Sequence, residues 1–308
     1  MQKKSVDALV CEIKDNRYAE KNQEAFEKSI HTPFFKSCFS KKDYIKAIEK
    51  MQNYIHKGDI FLANMTHTFS SIFQNNPQST YENLRRINPA PFSAYLPLDG
   101  FHVLCSSPER FLKVRNGNVE TRPIKGTIPR GQTPQEDEIN RCILENSEKD
   151  KSELAIITKL EKNDLMRVCK PDTVKAKELF KIEAFATVFH LVSTVVGTLK
   201  DNCTCVDCME TMFPGGSITG APKLRSMEII SELERNQRNL YTGSIGYFGF
   251  DGNADFNVVI RSILIKDNYA HIGVGGGITS QSNPQWEYNE TIAKAIALFN
   301  SLKAEYFV

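Results

Sequence analysis

The stretch RFLKVRNGNVETRPIKGTIPRG, residues 110–131, decides how the fold is read. Two strand-like runs, Arg110–Arg115 and Asn118–Ile124, flank Asn116-Gly117. Both turn residues tolerate positive φ, so the pair predicts a tight β-hairpin. Immediately after it, Lys125 sits with Gly126 between Pro123 and Pro129, a flexible cation in a stiff loop. For a lone Lys-Gly, a solvated loop lysine is the ordinary reading. Working outward, strand patterns recur at Asp59–Met65, Phe92–Leu96, His102–Cys105 and His190–Leu199. Tyr241–Phe250, Asp255–Lys266 and Tyr269–Val274, separated by Asp251-Gly252 and Lys266-Asp267-Asn268, predict an antiparallel meander.

Helical patterns come in clusters of their own. Residues 1–57 read as helices and loops, and Thr133-Pro134-Gln135-Glu136 has the form of a capping box opening a helical stretch to about Arg167. Pro222–Glu234 reads as a helix entered through the loop FPGGSITGAPK (213–223), and a last helix runs from Asn283-Pro284 to about Leu302. Strict βαβ alternation is missing, so the fold class is antiparallel α+β, a single large domain over 1–308.

Composition narrows the function classes. A net charge of +2 without a single-sign block gives no polyanion partner, so no nucleic acid is expected. Asp7 and Glu12 interrupt the start where a signal peptide needs an apolar run, and no window reaches the 18 or so apolar residues of a membrane span. A cytoplasmic protein with no membrane partner is the expectation. Of the eight cysteines, Cys203, Cys205 and Cys208 are grouped but lack a nearby fourth ligand, so they read as structural thiols rather than a zinc site.

Several residues carry possible chemistry. Glu287, Glu290, Thr291 and Lys294 fall on one face of the last helix, and Asp150 and Glu153 repeat the i, i+3 carboxylate spacing upstream. Facing one cavity, the two pairs would offer hard oxygen ligands to Mg²⁺; taken singly, each is more often a solvated face. Arg261 lies within an apolar strand and needs an anionic partner if turned inward, whether a ligand or a structural carboxylate. Gly273-Val274-Gly275-Gly276-Gly277, read as the link from a strand to a helix, could bring bare N–H groups to an anion. His190 opens an apolar strand and by default is a core histidine.

The strings SPERF (107–111), TRPIKGT (121–127), KNDL (162–165), HLVST (190–194), FPGGSITGAPK (213–223), GSIGY (243–247), GGGI (275–278) and EYNET (287–291) occur in this order. Together they resemble the chorismate-utilising enzymes from about residue 40 to 300, leaving 1–40 as a variable segment, and within that family the aminodeoxychorismate synthase component I branch. The resemblance implies two antiparallel sheets packed as a sandwich and flanked by helices. It also implies that Lys125 distinguishes this branch from anthranilate synthases, which carry Ala there. Its amine would attack C2 of chorismate as the 4-hydroxyl leaves; ammonia would then add at C4 and expel the lysine, giving 4-amino-4-deoxychorismate for para-aminobenzoate and folate synthesis.

Further roles follow from the same resemblance. Glu109 would be the general acid, and His190, Thr127 and Lys294 would line the ring next to Gly126. Tyr247, Arg261, Gly275, Gly276 and Gly277 would bind the enolpyruvyl carboxylate. Glu153 and Glu290 would hold Mg²⁺ directly, with Asp150 and Glu287 holding its waters. A partner glutamine amidotransferase would supply ammonia. The chain departs from the family's pattern at Leu154, Lys159 and Lys162, and carries Leu62 where relatives that activate water carry a lysine. Anthranilate synthesis, or a weakly catalytic subunit that docks an amidotransferase, are the alternative readings.

Overall fold

A computed structural model describes residues 33–306, which belong to one compact unit. The first part of the expected domain, residues 1–32 with Asp7, Cys11 and Glu12, lies outside the described residues.

Two sheets carry the described chain. The first runs in the order β15 (Glu305–Tyr306), β1 (Phe34–Ser37), β2 (Leu62–Ile72), β14 (Tyr269–Ile278), β13 (Ser262–Lys266), β4 (Phe101–Ser107), β3 (Phe92–Leu98), with the short β10 (Gly220–Ala221) also on β2. The second runs β11 (Gly246–Phe248), β12 (Ala254–Asn257), β5 (Arg110–Arg115), β6 (Asn118–Arg122), β9 (Val188–Thr198), β7 (Ile124–Pro129), with β8 (Lys175–Ala184) also on β9. Every pairing is antiparallel except β1 with β15, which makes the fold α+β as the sequence predicts.

Each sheet has its own core. The first packs on α1 (Lys41–His56), α2 (Pro77–Ile87), α6 (Lys223–Leu233) and α7 (Pro284–Ser301), burying Phe35, Tyr44, Ile48, Phe69, Ile292 and Phe299 together. The second packs on α3 (Pro134–Glu145), α4 (Glu148–Val168) and α5 (Cys205–Met212). Its core holds Leu112, Val114, Leu165 and Val195, and the thiols of Cys169, Cys205 and Cys208 pack there as small apolar groups. The seven described cysteines are free.

Local chemistry explains where elements begin. Thr133 caps α3 in the predicted capping box, with Glu136 closing it. The expected single helix from 133 to about 167 is two helices. Asn146 ends α3 and Ser147 caps α4 by accepting from the Asp150 N–H, because short polar side chains compete for backbone groups. That break lets α4 start afresh at the residues that carry Lys149, Asp150 and Glu153.

Three strand readings change. Asp255–Lys266 is not one strand: β12 belongs to the second sheet and β13 to the first, and Val258–Arg261 crosses between them. Only Gly246–Phe248 of the expected Tyr241–Phe250 strand pairs. The lysine loop is itself a strand, β7, paired with β9. Period-2 patterning marks extended backbone but cannot say which sheet receives it. Elements with little one-sided burial, such as β8 with its alternately exposed and half-buried residues, gave no prediction at all.

Gly126 is the irregular point of β7. The register slips between Lys125 and Thr127, and Gly126 takes φ +69°. A Cβ there would come 2.8 Å from Leu144 Cδ1 and 2.9 Å from Asp150 Cγ. Gly126→Ala therefore combines left-handed strain with overpacking, and is expected to cost about 2–4 kcal/mol. Urea unfolding measures this; a loss below about 0.5 kcal/mol would show that the bulge relaxes freely.

Candidate active site

Two of the chain crossings between the sheets meet at one place. Pro108-Glu109 leads from β4 to β5, and Val258–Arg261 leads from β12 to β13. They are bonded to each other: Ser106 N–H donates to the Arg261 carbonyl at 3.0 Å, Val258 N–H to the Glu109 carbonyl at 3.0 Å, and Ser107 Oγ to the Val258 carbonyl at 2.6 Å. Arg261 takes φ +52° at this seam, a backbone setting uncommon for a residue with a side chain.

A cavity of about 120 Å³ lies beside the seam. β7 and β9 bring Lys125, Gly126, Thr127 and His190 to it; α4 brings Lys149, Asp150 and Glu153; α7 brings Glu287, Glu290 and Lys294; the seam brings Glu109 and Arg261; and β14 brings Gly275 and Gly277. Residues from 109 to 294 thus share one wall.

Tyr247 does not reach it. It stands on the edge strand β11, 60% exposed, and Tyr241 lines the cavity in its place. A Cβ on Gly273 would fall 2.2 Å from Tyr241 Cγ, so the glycine makes room for that ring. The glycine run is corrected too. Gly273–Gly277 are not a link before a helix but part of β14, paired residue by residue with Thr68–Asn64 of β2. At Gly273 and Gly277 other side chains occupy the space a Cβ would need. A Cβ on Gly277 would lie 2.9 Å from Glu153 Oε2 and 3.2 Å from Lys125 Nζ; one on Gly276 would lie 3.4 Å from Glu287 Oε2.

Charges in the cavity are paired in an orderly way. Lys149 Nζ donates to Glu287 Oε1 at 2.7 Å and stands 4.0 Å from Glu153 Oε1. Lys294 Nζ bridges Glu290 Oε1 at 2.7 Å and the Gly275 carbonyl at 2.8 Å. Lys125 differs. It makes no ion pair among the described residues, and donates to the Ser217 carbonyl at 3.1 Å. Arg261 also has no carboxylate partner among the described residues; its Nη1 donates to the Lys294 carbonyl at 2.7 Å. That leaves guanidinium donors for an anion.

Burial sets the titration of these groups. It pushes the Glu153 carboxyl up to about 7, against the pull of Lys125 and Lys149 and with Glu287 and Asp150 adding to the rise. It also raises Glu109, buried at the seam, although the Ser217 hydroxyl and Lys125 favour its charged form. The Ser217 hydroxyl lies near enough to act on Glu109 but makes no hydrogen bond of full geometry. Glu290 is held below the usual carboxylate range by Lys294. His190, buried and near Arg261, is depressed to about 4, so its ring is neutral at pH 7; Nδ1 is 2.9 Å from Thr127 Oγ1.

The donor set can be tested against a metal. Among the described residues no group of three or more His, Cys, Asp or Glu side chains stands arranged to hold one. There Lys149 is paired with Glu287 and Lys294 with Glu290. The chemistry nevertheless fits a hard divalent cation: four carboxylates on two helices reach one cavity. The departures stand aside from it. Leu62 and Leu154 are buried and Lys159 is exposed, and none lines the cavity.

Sequence reading missed Lys149, Tyr241 and Ser217. Lys149 precedes Glu153 by four residues, the spacing of a helical ion pair. Ser217 lies within the FPGGSITGAPK motif.

Residues 2–300 match the model of a family described as chorismate binding enzyme. The chain is 41% identical over 273 residues to aminodeoxychorismate synthase component 1 of Klebsiella aerogenes, covering 89% of this chain and 60% of that protein. It is also 41% identical over 267 residues to anthranilate synthase component 1 of Bacillus caldotenax, covering 87% and 53%. Among solved structures, anthranilate synthase component I from Streptococcus pneumoniae TIGR4 aligns with TM-score 0.82 and 30% identity over 96% of this chain and 67% of that one. The chain thus spans 60% and 53% of the length of these two curated relatives. Equal identity to two kinds of synthase leaves the choice between them to the residues of the cavity.

One buried acid lies just behind this wall. Glu161 of α4 accepts from Thr121 Oγ1 at 2.9 Å, and burial raises it to about 8. The folded protein therefore holds a proton there, through the window from 4.5 to about 8, that the unfolded chain releases, so stability falls as pH rises across it. Glu161→Gln keeps the Thr121 hydrogen bond without the charge. Its melting temperature relative to wild type should climb steadily between pH 5 and 8; a pH-independent difference would place the proton elsewhere.

Proposed function

The chain belongs to the chorismate-binding enzymes, and from that premise we propose that it makes 4-amino-4-deoxychorismate from chorismate and ammonia, with Lys125 as covalent nucleophile. One observation carries the choice. Lys149 and Lys294 are each paired with a carboxylate, whereas Lys125 projects into the same cavity held by a backbone carbonyl, its amine not committed to a counter-ion.

The steps balance with groups at hand. The unprotonated Lys125 amine bonds to C2, both ring double bonds shift by one position, and the 4-hydroxyl departs as water with a proton from Glu109, whose pKa burial raises. Ammonia then adds at C4, both double bonds shift back, the C2–N bond breaks to release the Lys125 amine, and the proton lost by the added nitrogen returns to Glu109. Dividing one hard displacement into two is the gain from covalent catalysis. Arg261, together with Tyr241 in the place first read for Tyr247, would take the enolpyruvyl carboxylate. Neutral His190, Thr127 and Lys294 would line the ring. Glu153 and Glu290 would hold Mg²⁺, with Asp150 and Glu287 in its outer shell; the ion would supply positive charge to grip a substrate carboxylate and draw electron density from the ring.

The relatives' names, component 1, support a second component, and a glutamine amidotransferase supplying ammonia fits that part. A cytoplasmic setting belongs to the same proposal, in keeping with seven free described thiols. No described helix is long and apolar enough to cross a membrane. Anthranilate synthesis is the second reading, favoured by the equal identity to an anthranilate synthase.

Lys125→Ala decides between them. It should lose most activity, or shift product toward the 2-amino isomer by opening C2 to ammonia. Mass spectrometry of chorismate, Mg²⁺ and ammonium reactions reads both; 4-amino-4-deoxychorismate at near wild-type rate from Lys125→Ala would remove the covalent step. Chelation should abolish turnover, and Glu153→Gln or Glu290→Gln should raise the Mg²⁺ requirement by about tenfold or more, since each removes an anionic oxygen. Unchanged Mg²⁺ dependence in both variants would move the metal to other residues.

A further inference from the structure

Lys149 is the charged side chain of the cavity to which the proposed reaction gives no part. It stands in the first turn of α4 and reaches across to α7, where it donates to Glu287 Oε1 at 2.7 Å. Glu287 is only 2% exposed, and the same oxygen accepts from Ser282 Oγ at 2.7 Å, so the carboxylate is firmly placed. Glu153 Oε1 is 4.0 Å from the same ammonium. Among the described residues this is the ion pair that joins α4 to α7. Five carboxylates and four cationic side chains line the cavity, and Lys149 lies between two of those carboxylates.

An ammonium and a divalent cation cannot occupy that position together, because their repulsion in a buried site is large. Without either, Glu287 would lose its ion-pair partner and Glu153 would keep only the pull of Lys125, leaving the two buried carboxylates under-compensated. On the reading that these carboxylates hold Mg²⁺, we propose that Lys149 is a positioning residue. It acts as the internal counter-cation of the metal-free protein and is displaced when the divalent ion binds. The competition lowers the affinity of the empty site for metal and keeps its acidic side chains apart and in place until the ion arrives.

The test uses the full chain without substrate. Mg²⁺ affinity is measured by calorimetric titration, Mn²⁺ affinity by electron paramagnetic resonance, and melting temperature with chelator and with saturating Mg²⁺. Lys149→Met removes the charge while keeping the length; Lys149→Gln removes it but keeps a donor for Glu287, and serves if the Met variant is too unstable in chelator. Either variant should bind both ions about tenfold more tightly than wild type. Each should also melt lower in chelator and recover more than wild type on adding Mg²⁺. Binding by wild type with equal or weaker affinity in both variants overturns the role of Lys149 and leaves the metal site standing. No binding by wild type or variants overturns the metal site itself, and the role of Lys149 with it.

Discussion

Buried charge has to be compensated, and this protein places five carboxylates and four cationic side chains around one small cavity. Much else follows from how they are paired. Lys149 and Lys294 each neutralise a glutamate of α7, and in doing so bind that helix to α4 and to β14. Lys125 and Arg261 are the cations left with backbone carbonyls as partners. A site built this way keeps its structural counter-charges separate from the groups available to a ligand. A negatively charged substrate would meet the second set without breaking the first.

That arrangement needs side chains from two sheets to converge, and the seam provides it. The crossings at Pro108-Glu109 and Val258–Arg261 are hydrogen-bonded to each other, so the acid and the guanidinium at the cavity are positioned by main chain rather than by flexible loops. The positive φ of Arg261 is where the chain turns out of one sheet and into the other. The glycines of β14 are the counterpart. Where Tyr241 and Glu153 crowd against the strand at Gly273 and Gly277, a Cβ would collide, so the strand goes without.

Much of this was legible before any coordinates. The Asn116-Gly117 hairpin, the Thr133 capping box and the last helix are local features, set by turn geometry, capping and helical spacing within a few residues. The family motifs hold a little over half of the residues that line the cavity, Glu109, Lys125, His190 and Glu290 among them. Tyr247 and Tyr241 show where that ended. Both lie in the same short stretch, and only burial separates the one that lines the cavity from the one on the sheet's outer edge.

The sequence by itself determined the α+β class, the family, and the carboxylates and lysine that a site would need, because residue types and short spacings carry that information directly. The tertiary structure decided which sheet receives each strand: one run became β12 and β13 in different sheets, and a stiff loop became β7 with a bulge at Gly126. It also decided which cation meets which carboxylate. Such pairings depend on contacts between residues far apart in the chain, as Lys149 and Glu287 are, and local propensity holds no record of them.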